Sequence, residues 1–151
     1  MLIGRLRGRG HTLALAESCT GGLIGAAITA VPGASKVLWG GLISYDDAAK
    51  RALLGISEAS LRGHGAVSRT VAEEMAAGAR RVSGTTWSLA VTGIAGPSGG
   101  TPDKPVGTVW IAHDGPSRDA RRYSFDGGRE AIREAAAIEA MRLLVSCVER
   151  T

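Results

Sequence analysis

The sequence predicts an α/β fold, a mixed β-sheet covered by helices on both faces. Short apolar runs of strand character alternate with segments of helical spacing over residues 12–92, the pattern of β–α–β units with parallel strands. Residues 106–125 then hold two strand-like runs joined at Asp114, Gly115 and Pro116. That hairpin adds antiparallel pairing, and one long helical segment closes the chain. Size agrees: 151 residues, 44% hydrophobic and 21% charged, suit one globular domain rather than a disordered or collagen-like chain. With no internal repeat or linker, residues 1–151 are read as a single domain.

Residues 1–9 are basic and lack an apolar h-region, so they are not a secretory signal and are read as a frayed end. Residues 12–17 form a short apolar run that stops at Ser18, Cys19, Thr20, Gly21 and Gly22. The Ala-, Ile- and Gly-rich stretch 23–31 follows and halts at Pro32 and Gly33, so the order reads as strand, tight turn and buried helix. Residues 37–45 read as a second strand, bent or bulged at Gly40 and Gly41. Asp46 or Asp47 can cap a short helix through Leu54 that ends at Gly55, and residues 57–61 look like another helical turn. Over 68–82 a helix is capped by Ser68 or Thr70, with Glu73 and Glu74 early and Arg80 and Arg81 late, as the helix dipole favours. Val71, Met75 and Ala79 form its inward stripe. Residues 87–92 read as a third strand, 93–105 as a long loop, and 106–113 with 120–125 as the hairpin strands. The closing helix, 129–149, puts Ala131, Ala135, Ile138, Met141, Val145 and Val148 on one face.

Composition removes several functional classes. A net charge of +4 and a pI of 9.6 invite a nucleic-acid reading, but the arginines are scattered and only 4% of residues are aromatic. Arg5, Arg7 and Arg9 and the cluster Arg118, Arg121 and Arg122 are therefore read as solvated surface, or as a bias toward an anionic small ligand. No apolar run approaches a membrane span of roughly 20 residues. Two cysteines, Cys19 and Cys147, give neither a disulfide framework nor zinc spacing, and the expectation is a reducing, cytoplasmic setting without a metal. His11, His64 and His113 stand apart from any paired carboxylate.

Three segments carry chemistry. Residues 16–22 place Ser18, Cys19 and Thr20 directly after a strand and before a helix, where backbone N–H groups and the dipole favour negative charge. Such a turn stabilises an oxyanion or holds a phosphate, and spacing does not choose between them; Ser18 or Thr20 can equally be a plain helix cap. Cys19 is a rival nucleophile if the helix terminus lowers its pKa, although burial as a small hydrophobe is the commoner fate. In the second segment, Tyr45 at a strand end and Lys50 in the next helix can reach the same cleft. A serine beside a lysine or tyrosine can be activated without histidine. Against that stand a solvated Lys50 and a packing role for Tyr45. In the third, a strand runs through Thr92 into Gly93, Ile94, Ala95 and Gly96, with four glycines between positions 93 and 100. This is neither a P-loop nor a dinucleotide fingerprint, so it reads as a ligand-wrapping loop or a merely flexible one.

Residues 16–22, the strand from Gly40 to Tyr45 with Lys50 beyond it, residues 65–68, residues 91–97 with Gly99 and Gly100, and residues 105–109 occur in an order that resembles the C-terminal domain family of the competence/damage-inducible protein CinA. The resemblance covers nearly the whole chain. It implies a three-layer α/β/α sandwich, a homo-oligomer and no organic cofactor. The implied activity is that of a nicotinamide-nucleotide amidohydrolase: nicotinamide mononucleotide plus water gives nicotinate mononucleotide plus ammonia. By the same resemblance Ser18 is the nucleophile, with Tyr45 and Lys50 as partner groups, and Thr92 with its glycine loop binds substrate. The family's Gly-Asp-Arg before the last helix reads Gly127-Gly128-Arg129 here, leaving Asp126 as a shifted cap. Many relatives carry a separate N-terminal domain, whose activity is not transferred.

The chemistry expected on this basis is attack by Ser18 on the carboxamide. Lys50 takes its proton directly or through Tyr45, and the N–H groups of Cys19, Thr20 and Gly21 stabilise the oxyanion. Glu17, Asp46 or the ring of Tyr45 would meet the pyridinium, and Gly22 would allow close approach. Thr92 with Gly93, Ile94, Ala95 and Gly96, or Arg129, would hold the phosphate. A non-catalytic nucleotide- or partner-binding module serving competence or DNA-damage response is the alternative, ahead of a nucleic-acid binder.

Overall fold

A computed structural model describes residues 1–151. The chain runs α1 (Leu2–Gly8), β1 (Leu13–Glu17), α2 (Leu23–Thr29), β2 (Leu38–Ile43), α3 (Asp47–Leu54), α4 (Glu58–His64) and α5 (Arg69–Ser83). It continues with β3 (Trp87–Gly93), β4 (Thr108–Asp114), β5 (Asp119–Ser124) and α6 (Arg129–Arg150). The sheet order is β2-β1-β3-β4-β5. β1 lies parallel to β2 and β3, whereas β4 and β5 are added antiparallel. With helices on both faces, this is a three-layer α/β/α sandwich around a mixed sheet.

Alternation along the strands builds two unlike cores. On one face Leu13, Leu15, Leu89, Val91, Val109 and Ile111 meet α1, α2 and α6. On the other, the row Ala14, Ala16, Ala90, Ala112 and Ala120 is small, so α5 lies close against the sheet through Val71, Met75 and Ala79. Gly78 completes that approach, because a Cβ there would run into the Leu54 carbonyl at the end of α3. Asp46 caps α3 by accepting from the Ala48 N–H, and Ser68 caps α5 by accepting from Val71, which decides both pairs of candidate caps. The bulge expected in β2 falls at its start, where the register steps from Leu13 opposite Leu38 to Ala14 opposite Gly40.

Several boundaries differ from expectation. Residues 2–8 are helical rather than frayed: Leu2, Ile3 and Leu6 are buried against α6, while Arg5 reaches Glu149 at 2.9 Å. Seven residues without a side-chain cap give little local signal, and tertiary packing supplies the stability. In α6 the buried stripe is Ile132, Ala136, Ala140, Leu143, Leu144 and Cys147. Of the expected face, Val148 is buried and Met141 and Val145 pack against the core, but the stripe is turned at its start, leaving Ile138 48% exposed. Alanines on several sides gave the helix no unique apolar stripe, and contact with the sheet selected one. Gly128 is the N-cap of α6 without a side-chain bond, so Asp126 does not cap it. β4 starts at Thr108 rather than at Val106: Gly107, at φ 95°, departs from extended backbone although it still accepts from Phe125 N–H at 2.9 Å and donates to the Ile94 carbonyl at 2.8 Å, and a side chain there would meet the Phe125 carbonyl. No helix is long and apolar enough to cross a membrane.

Candidate active site

The carboxyl ends of the parallel strands β2, β1 and β3 come together at one edge of the sheet. The chain leaves β1 into α2, which packs with the large-residue core, and leaves β2 into α3–α5 on the opposite face. The two connections diverge, opening a crevice where open α/β sheets characteristically bind ligands. It holds a cleft of about 200 Å³ lined by Ser18, Tyr45, Lys50, Thr92, Gly93 and Arg129, among others. A larger groove of about 410 Å³ between α1, α2 and α6 is almost wholly apolar and offers no reacting group.

Ser18 follows β1 directly and is buried, its N–H held by the Val91 carbonyl at 3.0 Å. Lys50, one turn into α3, is only 1% exposed. Its Nζ lies 3.0 Å from Ser18 Oγ, 2.9 Å from the Ser44 carbonyl and 2.9 Å from the Tyr45 carbonyl. All three partners are uncharged. Burial lowers the Lys50 pKa, with Asp47 and Asp46 acting in the opposite sense. A neutral amine has two N–H bonds and one lone pair. As an ammonium, Nζ donates to all three oxygens; as a neutral amine it keeps its two N–H bonds to the carbonyls and turns its lone pair to the Ser18 O–H. The arrangement accommodates both states; burial favours the neutral one, which can act on the serine hydroxyl.

The turn after Ser18 is arranged by its surroundings. Gly21 donates its N–H back to the Ser18 carbonyl at 3.1 Å, so that group is not free for an oxyanion as expected. Cys19 N–H and Thr20 N–H donate to no group of the protein. Glu17 is buried and accepts from the N–H groups of Gly22, Ile24 and Gly25 at 3.3, 3.0 and 3.0 Å. It caps α2 rather than facing a substrate, and it takes up the Gly22 amide as well. Gly21 and Gly22, at φ 57° and 113°, make the sharp reversal that brings those amides round. Burial pushes the Cys19 thiol up to about 11, so the rival nucleophile is a protonated thiol packed against Gly93. The buried hydroxyls of Thr20 and Ser44 have no hydrogen-bond partner.

Tyr45 is 58% exposed at the rim, and its phenol oxygen accepts from Arg129 at 3.0 Å. Only its carbonyl touches Lys50, so the phenol is no relay between Lys50 and Ser18. Arg129 also donates to the Gly96 carbonyl at 2.7 Å, tying the glycine loop to the end of β2. Thr92 donates to the Ala66 carbonyl at 2.9 Å. Ile94 donates to the Thr108 carbonyl at 2.9 Å, which removes its amide from the set expected to hold phosphate. Ala95 and Gly96 keep free N–H groups. Two features went unforeseen. Ser44 supplies a carbonyl to Lys50, and Arg133 on α6 donates to the Cys19 and Thr20 carbonyls at 2.9 and 3.1 Å. The only sequence signal for Arg133 is its position one helical turn beyond Arg129. No three His, Cys, Asp or Glu side chains gather into a metal-binding group.

Comparison with known proteins gives a consistent result. A family model described as the CinA C-terminal domain matches residues 1–148. A CinA-like protein of Anaeromyxobacter sp. (strain K) is 51% identical over 145 residues, covering 95% of this chain and 36% of that protein. A CinA-like protein of Salinibacter ruber is 50% identical over 145 residues, covering 93% of this chain and 35% of its own length. The chain thus spans about a third of the length of these curated relatives. Among solved structures, the competence/damage inducible protein CihA from Agrobacterium tumefaciens matches with a TM-score of 0.91 at 40% identity, covering 96% of this chain and 90% of that one. A CinA superfamily protein from Klebsiella pneumoniae matches with a TM-score of 0.95 at 34% identity, covering 99% and 94%.

Proposed function

The chain belongs to the CinA C-terminal domain family, and from that premise we propose that it is a nicotinamide-nucleotide amidohydrolase with a Ser18–Lys50 catalytic pair. The observation that carries this reading is the 3.0 Å contact between Lys50 Nζ and Ser18 Oγ, made by a buried lysine whose other partners are two carbonyls. Lys50 takes the Ser18 proton as Oγ attacks the carboxamide carbon, and the π electrons move to the carbonyl oxygen. The N–H groups of Cys19 and Thr20 receive that oxyanion. Collapse breaks the C–N bond, and the Lys50 ammonium gives its proton to the leaving ammonia. Water then attacks the acyl ester, with Lys50 taking a water proton and returning it to Ser18 Oγ. The net change is amide plus water to acid plus ammonia.

A cleft of about 200 Å³ takes the carboxamide-bearing ring, and the ribose phosphate extends over the rim. There the Tyr45 ring faces the cationic pyridinium, while Arg129 and the free amides of Ala95 and Gly96 suit the phosphate. The test is ammonia release from nicotinamide mononucleotide, with free nicotinamide as control. Release from the nucleotide and not from nicotinamide is expected. Nucleotide binding without any ammonia, with Ser18 and Lys50 intact, would overturn the enzyme reading in favour of a binding module.

A further inference from the structure

We infer that Arg133 is a positioning residue for the oxyanion site: it holds the Cys19–Thr20 peptide with its N–H turned out beside Ser18 Oγ. The inference rests on the Ser18–Lys50 reading above. Residues 18–21 form a reverse turn closed by the bond from Gly21 N–H to the Ser18 carbonyl at 3.1 Å. In such a turn the central peptide, here Cys19–Thr20, has two orientations that differ by a half-rotation. One turns its N–H outward and the other its carbonyl. A trans peptide points C=O and N–H in opposite directions. Fixing the Cys19 carbonyl therefore fixes where the Thr20 N–H is aimed.

Arg133 does the fixing. Its Nε donates to the Cys19 carbonyl at 2.9 Å, and that carbonyl has no other partner in the protein. Its NH2 group donates to the Thr20 carbonyl at 3.1 Å, which also accepts from Leu23 N–H at 3.1 Å. Both carbonyls are thus drawn toward α6, leaving the Thr20 N–H aimed away from it. That amide follows Ser18 by two residues, and Ser18 Oγ meets Lys50 Nζ at 3.0 Å in the cleft that Cys19 also lines. Arg133 forms these bonds as a planar two-donor fork, a geometry that a single ammonium does not match. A cation bonded to the carbonyl also polarises the same peptide unit, strengthening the N–H donor at its other end. Thr20 helps: the flipped turn would require a positive φ at this β-branched residue, and no non-glycine residue in the chain has one.

The experiment measures acylation of Ser18 by p-nitrophenyl acetate beside ammonia release from nicotinamide mononucleotide, in wild type, Arg133→Met, Arg133→Lys and Ser18→Ala. The ester passes through the same kind of tetrahedral oxyanion without needing the nucleotide. Loss of one oxyanion donor costs about 10²–10³ in kcat. Arg133→Met is expected to slow acylation about 10- to 100-fold at unchanged half-saturation, since the turn retains the Thr20 preference. Arg133→Lys, with one donor nitrogen in place of the fork, is expected to fall between Met and wild type, and it carries the test alone if the Met variant does not fold. Acylation at the wild-type rate in the folded variants would overturn the inference, as would a defect confined to half-saturation. Wild type that is acylated at Ser18 yet releases no ammonia refutes the nucleotide substrate alone, and the Arg133 effect on the ester still stands. Wild type inert toward both substrates refutes the serine mechanism and the role of Arg133 with it.

Discussion

Lys50 is the residue whose replacement separates a general base from a structural cation. The side chain is 1% exposed and its three polar contacts are all uncharged. Lys50→Met keeps the length of the chain and removes the base, so kcat is expected to fall by about 10²–10⁴. Lys50→Arg puts a cation there that holds its proton at all working pH, so it is expected to be as inactive as the Met variant. Stability supplies an independent readout. Burial lowers the folded-state Lys50 pKa below the unfolded value of about 10.4, so between those two values the unfolded chain binds more protons. The stability of wild type relative to Lys50→Met therefore rises with pH across that window and is flat beneath it. Thermal midpoints of both proteins, followed from about pH 7 to about pH 10, measure the difference, and the ammonia assay at the same pH values reports the base. Activity should climb with pH below the ordinary lysine range. A pH-independent stability difference, or an Arg variant within tenfold of wild type, would refute the reasoning.

Three further outcomes follow from contacts elsewhere in the site and its scaffold. Arg129→Ala frees the rim from Tyr45 and Gly96; it is expected to raise KM for the nucleotide about tenfold while leaving acylation by p-nitrophenyl acetate unchanged, and equal damage to both reactions would contradict a phosphate role. Cys19→Ala should retain kcat within a few-fold and wild type should resist thiol alkylation near neutral pH, because the buried thiol stays protonated; inactivation by alkylation of Cys19 would restore it as a nucleophile. Gly78→Ala forces a methyl against the Leu54 carbonyl and is expected to cost roughly 1–3 kcal/mol in denaturant unfolding, despite the better helix propensity of alanine, and a stabilised protein would show that α3 and α5 yield freely.

What the sequence revealed of the site was local. An apolar strand ending in Ser18 and two glycines, and the cap at Asp46 followed by Lys50, are short-range patterns with short-range causes. What it hid depends on distance along the chain. Arg133 meets Cys19 across 114 positions, and no periodicity in α6 distinguishes it from the other arginines of that helix. Glu17 sits among residues that carry chemistry, which suggests a substrate carboxylate, but the unpaired N–H groups at the start of α2 claim it first. Tyr45 shows the same limit: its place at the end of β2 was legible, but its phenol turns to Arg129 and its carbonyl to Lys50. α1 escaped because its stability comes from Leu2, Ile3 and Leu6 packing on α6 rather than from its own seven residues. Lys104 carries a practical consequence. It and Lys36 are the only other lysines, and because Lys104 donates to the His64 carbonyl at 2.6 Å, replacement of Lys36 is the control for replacement of Lys50.

The central claim is that Ser18 Oγ attacks the carboxamide. Ammonia release from nicotinamide mononucleotide by wild type and by folded Ser18→Ala tests it most directly. Release by wild type with essentially none from Ser18→Ala, although the variant still binds the nucleotide, is the predicted result. Near-normal turnover by Ser18→Ala would contradict the account.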